Sequence, residues 1–363
     1  MIQRIVLMTV LLAAKLFSNE PVDISDELGA VILGSPIPAM TAAAVHNGKL
    51  IAQGAYGLRK VGEESKVTVY DKFLIGSLTK SMTAVLAAVL VSEGGIQWNT
   101  TVAQVFPELN LHEGYQDVSI YDLLTNTGGA PHDVELDLWL DLWKNQGSAV
   151  EQRMQLVKGV LEAPPAYTPK KGYVYSNAGF SIAGAMMERI YQRSYEDLLS
   201  ERLFHPLIMA SAGFRAPAAE GEQPYGHVIQ NGVAQAVEPE PAGENPRAIA
   251  PASAVHCSAL DLANYALFHL GAYAKGLISQ EMLDYLHTPV SGGDYALGWI
   301  VSDQPWAGGK TLMHAGSNTM FYTVVWLIPS RNFAAVVMSN SGSEETYEKL
   351  DQVVGLMIRR FLN

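Results

Sequence analysis

The order of apolar and polar positions predicts strands at both ends of the chain. Near the start, Ala39–Val45 and Leu50–Tyr56 are strand-like runs joined by His46-Asn47-Gly48, a typical hairpin turn. Near the end, four more runs have strand character: Tyr295–Val301, Thr311–His314, Phe321–Ile328 and Phe333–Ser339. Strands at both ends with helices between them favour one mixed sheet built from the two termini.

The middle of the chain has helical spacing. The longest apolar stretch, Leu74–Val91, places Ala, Leu and Met at helical intervals and stops at Gly94-Gly95. Further helices are predicted at residues 23–33, 119–125, 148–162, 178–192, 195–204, 259–270 and 344–361, and a Pro- and Gly-rich extended loop at 215–250. We therefore expect a sheet domain of residues 20–95 plus 286–363 and a mostly helical inserted domain of residues 96–285.

The first residues are typical of a secretory signal. Arg4 supplies a positive charge, and Ile5–Ala14 is apolar apart from Thr9. Ten residues are too few for a membrane span, which needs about 20. We expect residues 1–18 to be a signal peptide, with export to the periplasm or the medium and no membrane span. The alternative is an N-terminal helix packed on the body.

The composition excludes several classes of protein and of site. Of 363 residues 48% are hydrophobic and 17% charged, which suits a folded core and excludes disorder. Lys and Arg total 24 against 36 Asp and Glu, a formal net charge of −12, so nucleic acid is not an expected partner. The single cysteine, Cys257, excludes an intramolecular disulfide and a Cys-based zinc cluster.

Ser77-Leu78-Thr79-Lys80 opens the long apolar helix. Residues three apart on a helix lie on one face, so Ser77 and Lys80 are within reach of each other. The helix start also favours negative charge on Ser77. A serine hydroxyl needs a neighbouring base to become a nucleophile, and Lys80 is the candidate. The alternative is a capping serine with a surface lysine.

Two further segments carry candidate chemistry. In Tyr175-Ser176-Asn177, a lysine cation could lower the pKa of Tyr175 and make it a general base, while Asn177 could hydrogen-bond both Lys80 and a substrate carbonyl. In His314-Ala315-Gly316-Ser317, Gly316 would let a ligand approach the backbone. The Ser317 N–H could then pair with that of Ser77 as an oxyanion hole. The other His-x-Gly, at His269, is expected to be a packed helix end.

These three elements, in this order, resemble the β-lactamase-related serine hydrolases. That family includes class C β-lactamases, D-Ala-D-Ala carboxypeptidases, D-aminopeptidases and family VIII carboxylesterases. Surrounding segments that also look like the family are Val118–Gly129, Leu203–Leu207, Ser258–Ala263, Leu297–Trp299 and Val336–Asn340. The resemblance covers residues 23–361. It implies an α/β (α+β) fold, an antiparallel sheet flanked by helices plus a mostly helical domain, with the active site between them.

Two departures bear on the substrate. The family's Leu-Leu-x-His-Thr-Ser-Gly segment has Asn126 and Gly128 at two of its positions here. The third motif is His-Ala-Gly, whereas class C β-lactamases usually carry Lys-Thr-Gly. A permanent lysine charge favours a substrate carboxylate more than a neutral histidine does. The resemblance therefore favours an esterase or D-amino-acid peptidase over a dedicated β-lactamase.

The expected function is that of a serine hydrolase working through a Ser77 acyl-enzyme on small esters or amides, without metal or organic cofactor. Lys80 and Tyr175 would handle the proton, and His314 would assist proton transfer or leaving-group recognition. Asn177, Gly316 and Ser317 would bind a small-molecule or peptide substrate. The alternatives are a true β-lactamase, a penicillin-binding carboxypeptidase, or a catalytically silent ligand-binding protein of the same fold. The sequence leaves the oligomeric state open.

Asp133 has two interpretations. By resemblance to class C β-lactamases, it occupies the position of a glutamine that contacts the acyl-side amide. A carboxylate there would favour substrates with a free amine on the acyl side, because an unpaired charge out of water is costly. The alternative is that Asp133 caps a helix over Glu135–Trp143, since Asp is a favoured N-cap residue.

Overall fold

A computed structural model describes residues 20–144, 146–272 and 276–362. The predicted signal peptide, residues 1–18, lies outside the described residues. The strands are β1 Val22–Asp23, β2 Ala39–His46, β3 Lys49–Gly57, β4 Phe73–Leu74, β5 Gly226–Gln230, β6 Val233–Val237, β7 His256–Cys257, β8 Ile300–Gln304, β9 Gly309–Ser317, β10 Tyr322–Ile328 and β11 Phe333–Ser339.

The α-helices are α1 Ser25–Ile32, α2 Thr79–Ser92, α3 Val102–Val105, α4 Ile120–Leu124, α5 Leu136–Trp143, α6 Ala149–Leu161, α7 Asn177–Tyr191, α8 Tyr195–Leu199, α9 Ala250–Ser253, α10 Ala259–His269, α11 Gln280–Leu286 and α12 Glu344–Phe361. Seven of them begin at a serine whose hydroxyl accepts a backbone N–H of the first turn: Ser119, Ser148, Ser176, Ser194, Ser258, Ser279 and Ser343. Such caps contribute about 1 kcal/mol each.

Seven strands form the main sheet in the order β1-β3-β2-β11-β10-β9-β8. All neighbours are antiparallel except β1 and β3, which are parallel. The first three strands come from the start of the chain and the other four from its end, so the predicted mixed sheet is confirmed. Both faces of its centre are covered, which explains why β2 and β11 are almost entirely buried.

Alternate side chains of the sheet enter two separate cores. On one face, Met40, Ala42 and Ala44 pack with residues of α1 and α12. On the other, Ala43 and Val45 join the larger core that contains α2 and α10. Helix α10, predicted to lie in the helical domain, packs against β2 and β11. This contact does not divide the chain into domains, so the boundaries at 95/96 and 285/286 stay a prediction.

The structure corrects two element predictions. Residues 215–250 are not one extended loop, because β5 and β6 pair there as an antiparallel hairpin. The strand predicted over Tyr295–Val301 begins only at Ile300, since the residues before it form a tight turn into the core. Gly298 allows this turn: its φ is +85°, and an added Cβ would lie 2.3 Å from the Ser81 Cα.

Candidate functional site

Ser77 lies in a 3-10 turn, Gly76–Leu78, that leads into α2 at Thr79. Ser77 therefore lies two residues before α2 begins, and it does not cap α2, whose N-cap residue is Leu78. Lys80, in the first turn of α2, places its Nζ 3.1 Å from the Ser77 Oγ. The turn is tied to the neighbouring segment by a hydrogen bond from the Ile75 N–H to the Val255 carbonyl. The predicted contact between Ser77 and Lys80 is present.

Two other acceptors hold the Lys80 amine. Its Nζ donates to Asn177 Oδ1 at 2.7 Å and to the Ala252 carbonyl at 3.1 Å. Sequence reasoning predicted the Asn177 contact but missed Ala252, because a backbone acceptor leaves no mark in the residue type. A neutral amine has two N–H groups and one lone pair. With both N–H groups directed at these acceptors, the lone pair is free to face the Ser77 hydroxyl.

The surroundings of Lys80 favour that neutral form. Its side chain has no exposed surface, and none of the ion pairs among the described residues includes it. Burial lowers the pKa of Lys80 well below its ordinary value. A buried amine without a counter-ion is the form of lysine that can accept a proton.

Tyr175 lies immediately before α7, and its neighbour Ser176 caps that helix. The Lys80 Nζ is 4.5 Å from the centre of the Tyr175 ring. Burial raises the pKa of Tyr175, and a hydrogen bond to Ser77 only partly opposes this. The expectation that the lysine lowers this pKa is wrong, because desolvation of the phenolate outweighs the other effects. Tyr175 is a neutral phenol beside the Ser77 hydroxyl.

Asn126 positions this segment, a role that the sequence analysis missed. Its Oδ1 accepts the Ser176 N–H at 3.0 Å, and its carbonyl accepts the Tyr167 hydroxyl at 2.6 Å. The residue adopts a φ of +60°, a conformation that Asn tolerates better than most residues. The signal in the sequence was an Asn at a position where the related family has His.

His314 points from β9 toward the same site and is 3% exposed. Its Nδ1 hydrogen-bonds the Ala315 carbonyl at 2.7 Å, which places the proton on Nδ1 and leaves Nε2 with a lone pair. Burial is the main cause that lowers the pKa of His314 to about 3, and a charge on Lys80, present only when that amine is protonated, acts in the same direction. Nε2 is buried and has no hydrogen-bond partner among the described residues. His314 is therefore a neutral acceptor and provides no positive charge.

Gly316 and Ser317 bring the end of β9 against the Ser77 turn. A Cβ added to Gly316 would lie 2.7 Å from the Ser77 nitrogen, and one added to Gly76 would lie 2.4 Å from the Ser317 nitrogen. The space left by Gly316 is thus filled by this protein's own backbone, and the expected approach of a ligand to Gly316 is corrected. This backbone contact brings the Ser77 and Ser317 nitrogens, the two predicted members of an oxyanion hole, close to each other.

A cleft of about 670 Å³ opens over these groups and is lined by Ser77, Asn177, Ser317 and Asp133. Asp133 does not cap α5, because the N-cap residue is Glu135 and no side-chain capping bond forms. The carboxylate lies 2.9 Å from His132 Nδ1, and its side chain is 84% exposed. The helix-cap interpretation is therefore wrong, and Asp133 lies at the cleft.

The described residues carry neither a cluster of metal ligands nor a membrane-spanning helix. Within residues 20–144, 146–272 and 276–362, no group of three or more His, Cys, Asp or Glu side chains could hold a metal ion. Across the same ranges, every helix is too short or too polar to cross a bilayer.

His269, expected as a packed helix end, is the last residue of α10 and is buried, as predicted.

A family model described as Beta-lactamase matches residues 31–356. Among solved structures, the octameric penicillin-binding protein homologue from Pyrococcus abyssi superposes with a TM-score of 0.75 at 22% identity, covering 92% of this chain and 77% of that one. The crystal structure of SurE gives a TM-score of 0.73 at 21% identity, covering 90% and 74%. These likenesses show the fold.

Curated relatives are similar over most of the chain. Protein flp of Staphylococcus aureus (strain MW2) is 23% identical over 315 residues, 85% of this chain. Unguisins hydrolase ungD' of Aspergillus campestris (strain IBT 28561) is 27% identical over 330 residues, 86% of this chain. This chain spans 60% of the length of each of these relatives.

Proposed function

The chain belongs to the Beta-lactamase family, and we propose that it is a serine hydrolase that forms an acyl-enzyme on Ser77. One observation carries the proposal. The Nζ of a fully buried Lys80 lies 3.1 Å from the Ser77 Oγ, with its other two directions taken by Asn177 and Ala252. A nucleophile and a base within hydrogen-bond reach, the base held by further groups, is the arrangement that covalent catalysis needs.

The proposed reaction follows from the protonation states. The Ser77 Oγ attacks the substrate carbonyl while its proton passes to neutral Lys80, directly or through the Tyr175 hydroxyl. The Ser77 and Ser317 N–H groups stabilise the oxyanion. The proton then goes to the leaving group, the acyl-enzyme remains, and water attacks it with the same base. Asn177 orients the substrate amide or ester, and the His314 lone pair accepts a hydrogen bond from the leaving group or water.

Within this chemistry we propose an ester or D-amino-acid amide as substrate. A neutral His314 offers no charge to a substrate carboxylate. Asp133 at the cleft favours a free amine on the acyl side. The name of the unguisins hydrolase supports hydrolysis without fixing this chain's substrate. The second candidates stay a β-lactamase or D-Ala-D-Ala carboxypeptidase, and a catalytically silent binding protein of the same fold. We also propose export through residues 1–18.

The test is labelling with a fluorophosphonate followed by peptide mapping. We expect the label on Ser77 in the native chain and none on Ser77→Ala, while Ser330→Ala, an exposed serine in the turn after β10, labels normally. Turnover in Ser77→Ala should fall by about 10⁴–10⁶-fold. A panel of p-nitrophenyl esters, nitrocefin and D-Ala-D-Ala peptides then separates the enzyme candidates. Absence of label would support the silent binding protein.

A further inference from the structure

Helix α5 carries more apolar surface than its packing needs. Leu142 is buried, and Leu138 packs closely over Gly159 of α6. A surface helix requires one such apolar stripe. A second stripe, Leu136, Trp139 and Trp143, lines the cleft that contains Ser77. The two indoles meet edge to face with ring centres 6.2 Å apart. An apolar surface left open beside a reactive group indicates a binding surface.

The opposite wall of the cleft is also apolar. Val228 and Val237 of the β5–β6 hairpin line it. The hairpin is fixed by His227, whose Nε2 accepts the Val61 N–H at 3.1 Å and whose Nδ1 lies 2.9 Å from the Asn340 carbonyl. The wall is therefore held by bonds to two other parts of the fold. An apolar group between the hairpin and α5 would contact surfaces that need no ordering when it binds.

The charge of the cleft limits what can fill it. Among the described residues that line it there is no Lys or Arg, and Asp133 is its one acidic side chain. Lys80 lies beneath, without exposed surface. The one histidine among these lining residues, His132, already lies 2.9 Å from the Asp133 carboxylate. A substrate carboxylate in the cleft would therefore lose water without gaining a permanent cation, at a cost in free energy. The volume, about 670 Å³, matches pockets that enclose drug-sized molecules and far exceeds an acetyl group.

We propose that the acyl group of the substrate is bulky and apolar, an aryl or branched aliphatic group without a carboxylate, and that it packs between Trp139, Trp143 and the β5–β6 hairpin. The acyl group is the part that stays bonded to Ser77, on which the cleft opens. This inference rests on the proposed Ser77 hydrolase.

The test compares p-nitrophenyl esters that differ only in the acyl group, each rate divided by its uncatalysed rate. We expect kcat/KM for the phenylacetate ester to exceed that for the acetate by at least about tenfold, as apolar pockets discriminate by this much. The hemisuccinate should be at least about tenfold worse than the butyrate, which has the same chain length without the charge.

Variants of the cleft test which residues produce the preference for the phenylacetate ester. Trp139→Ala and Trp143→Ala should lower the phenylacetate-to-acetate ratio at least about fivefold, and Trp139→Phe should keep most of it. Two controls should leave the ratio unchanged: Leu140→Ala, on the same helix but outside the cleft, and Trp306→Ala, a tryptophan on another surface. Fluorophosphonate labelling of Ser77 with a ratio near one would overturn this inference alone. No labelling of Ser77 would overturn both this inference and the proposed hydrolase.

Discussion

Gly316 of β9 lies directly against Ile75, the residue that precedes the Ser77 turn. A Cβ on Gly316 would be 2.0 Å from the Ile75 carbonyl oxygen and 2.8 Å from the Leu78 nitrogen. The strand and the turn thus meet backbone to backbone with no room for a side chain. This contact fixes where the Ser317 nitrogen stands relative to the Ser77 nitrogen, and it links the main sheet to the start of α2.

Gly316→Ala should therefore separate the two nitrogens. The added methyl meets backbone atoms that cannot rotate away, so β9 must move. We expect activity to fall by about 10²-fold or more, as for loss of an oxyanion-hole donor. Stability should fall by about 1–3 kcal/mol, as in overpacked sites. Gly293→Ala is the matched control, because its new Cβ would have only ordinary contacts at 3.5 Å. Equal activity in the two variants would contradict the role of this contact.

Tyr175→Phe tests the phenol. The substitution removes one hydroxyl and little volume, so the fold should be kept. If Tyr175 relays the Ser77 proton, kcat should drop by at least about 10²-fold with little change in KM. Kinetics with a p-nitrophenyl ester measure both constants. A change in KM alone would make Tyr175 a binding residue and leave Lys80 as the whole proton pathway.

The pKa of Lys80 should set the pH at which the rate falls on the acid side of the pH–rate profile, its acid limb. Its pKa is lowered by burial, and as pH falls through that pKa the amine gains a proton and ceases to be a base. His314, with a pKa of about 3, stays neutral above that value. His314→Gln should therefore keep the limb within about 0.5 pH unit, whatever happens to the rate. Lys80→Arg, permanently charged, should lose about 10³-fold. If His314→Gln shifts the acid limb by more than about 0.5 pH unit, His314 and not Lys80 is the titrating base.

The fold and the first contacts of the site could be predicted because they depend on local patterns. Apolar runs and turn residues located β2, β3, β10 and β11, and motif order brought Ser77, Lys80 and Asn177 together. Two features depend on tertiary burial instead. The pKa of Tyr175 rises because its phenolate would lose water, and Ala252 contributes a carbonyl that any residue could supply. Neither the desolvation of a side chain nor the position of a backbone acceptor can be predicted from the identity of a residue.

A second pH effect concerns stability. His269 Nδ1 and His287 Nε2 are 2.8 Å apart in the core, and burial lowers both pKa values, that of His287 to about 3. In the unfolded chain each histidine takes up a proton near pH 6.5. Stability from the neutral pair is therefore complete above pH 6.5 and is lost as pH falls below it, by about 1.4 kcal/mol per pH unit for His287 down to its pKa of about 3, and His269 adds a loss in the same direction.

Chemical unfolding at pH 7.5, 6 and 5 measures this loss. His287→Gln removes one of the titrating groups and should make the fall with acid shallower, even if the variant is less stable at pH 7.5. His205→Gln is the control, because the His205 side chain is exposed and lies outside the core. A slope unaffected by His287→Gln would show that other groups govern acid unfolding.

Asp133 supplies the last prediction, which concerns substrate charge. Its carboxylate lines the cleft but is 84% exposed, so water screens it. Exposed ion pairs contribute about 0.2–1 kcal/mol, which corresponds to a preference for a free amine of about fivefold at most. We expect D-alanine p-nitroanilide to be cleaved faster than its N-acetyl form by about this factor, and the advantage to shrink at high salt. Asp133→Asn should remove it, while Asp137→Asn, exposed on the following helix α5 but outside the cleft, should not. If the free amine gives no advantage in the native chain, or if Asp133→Asn leaves the ratio unchanged, Asp133 does not select the substrate.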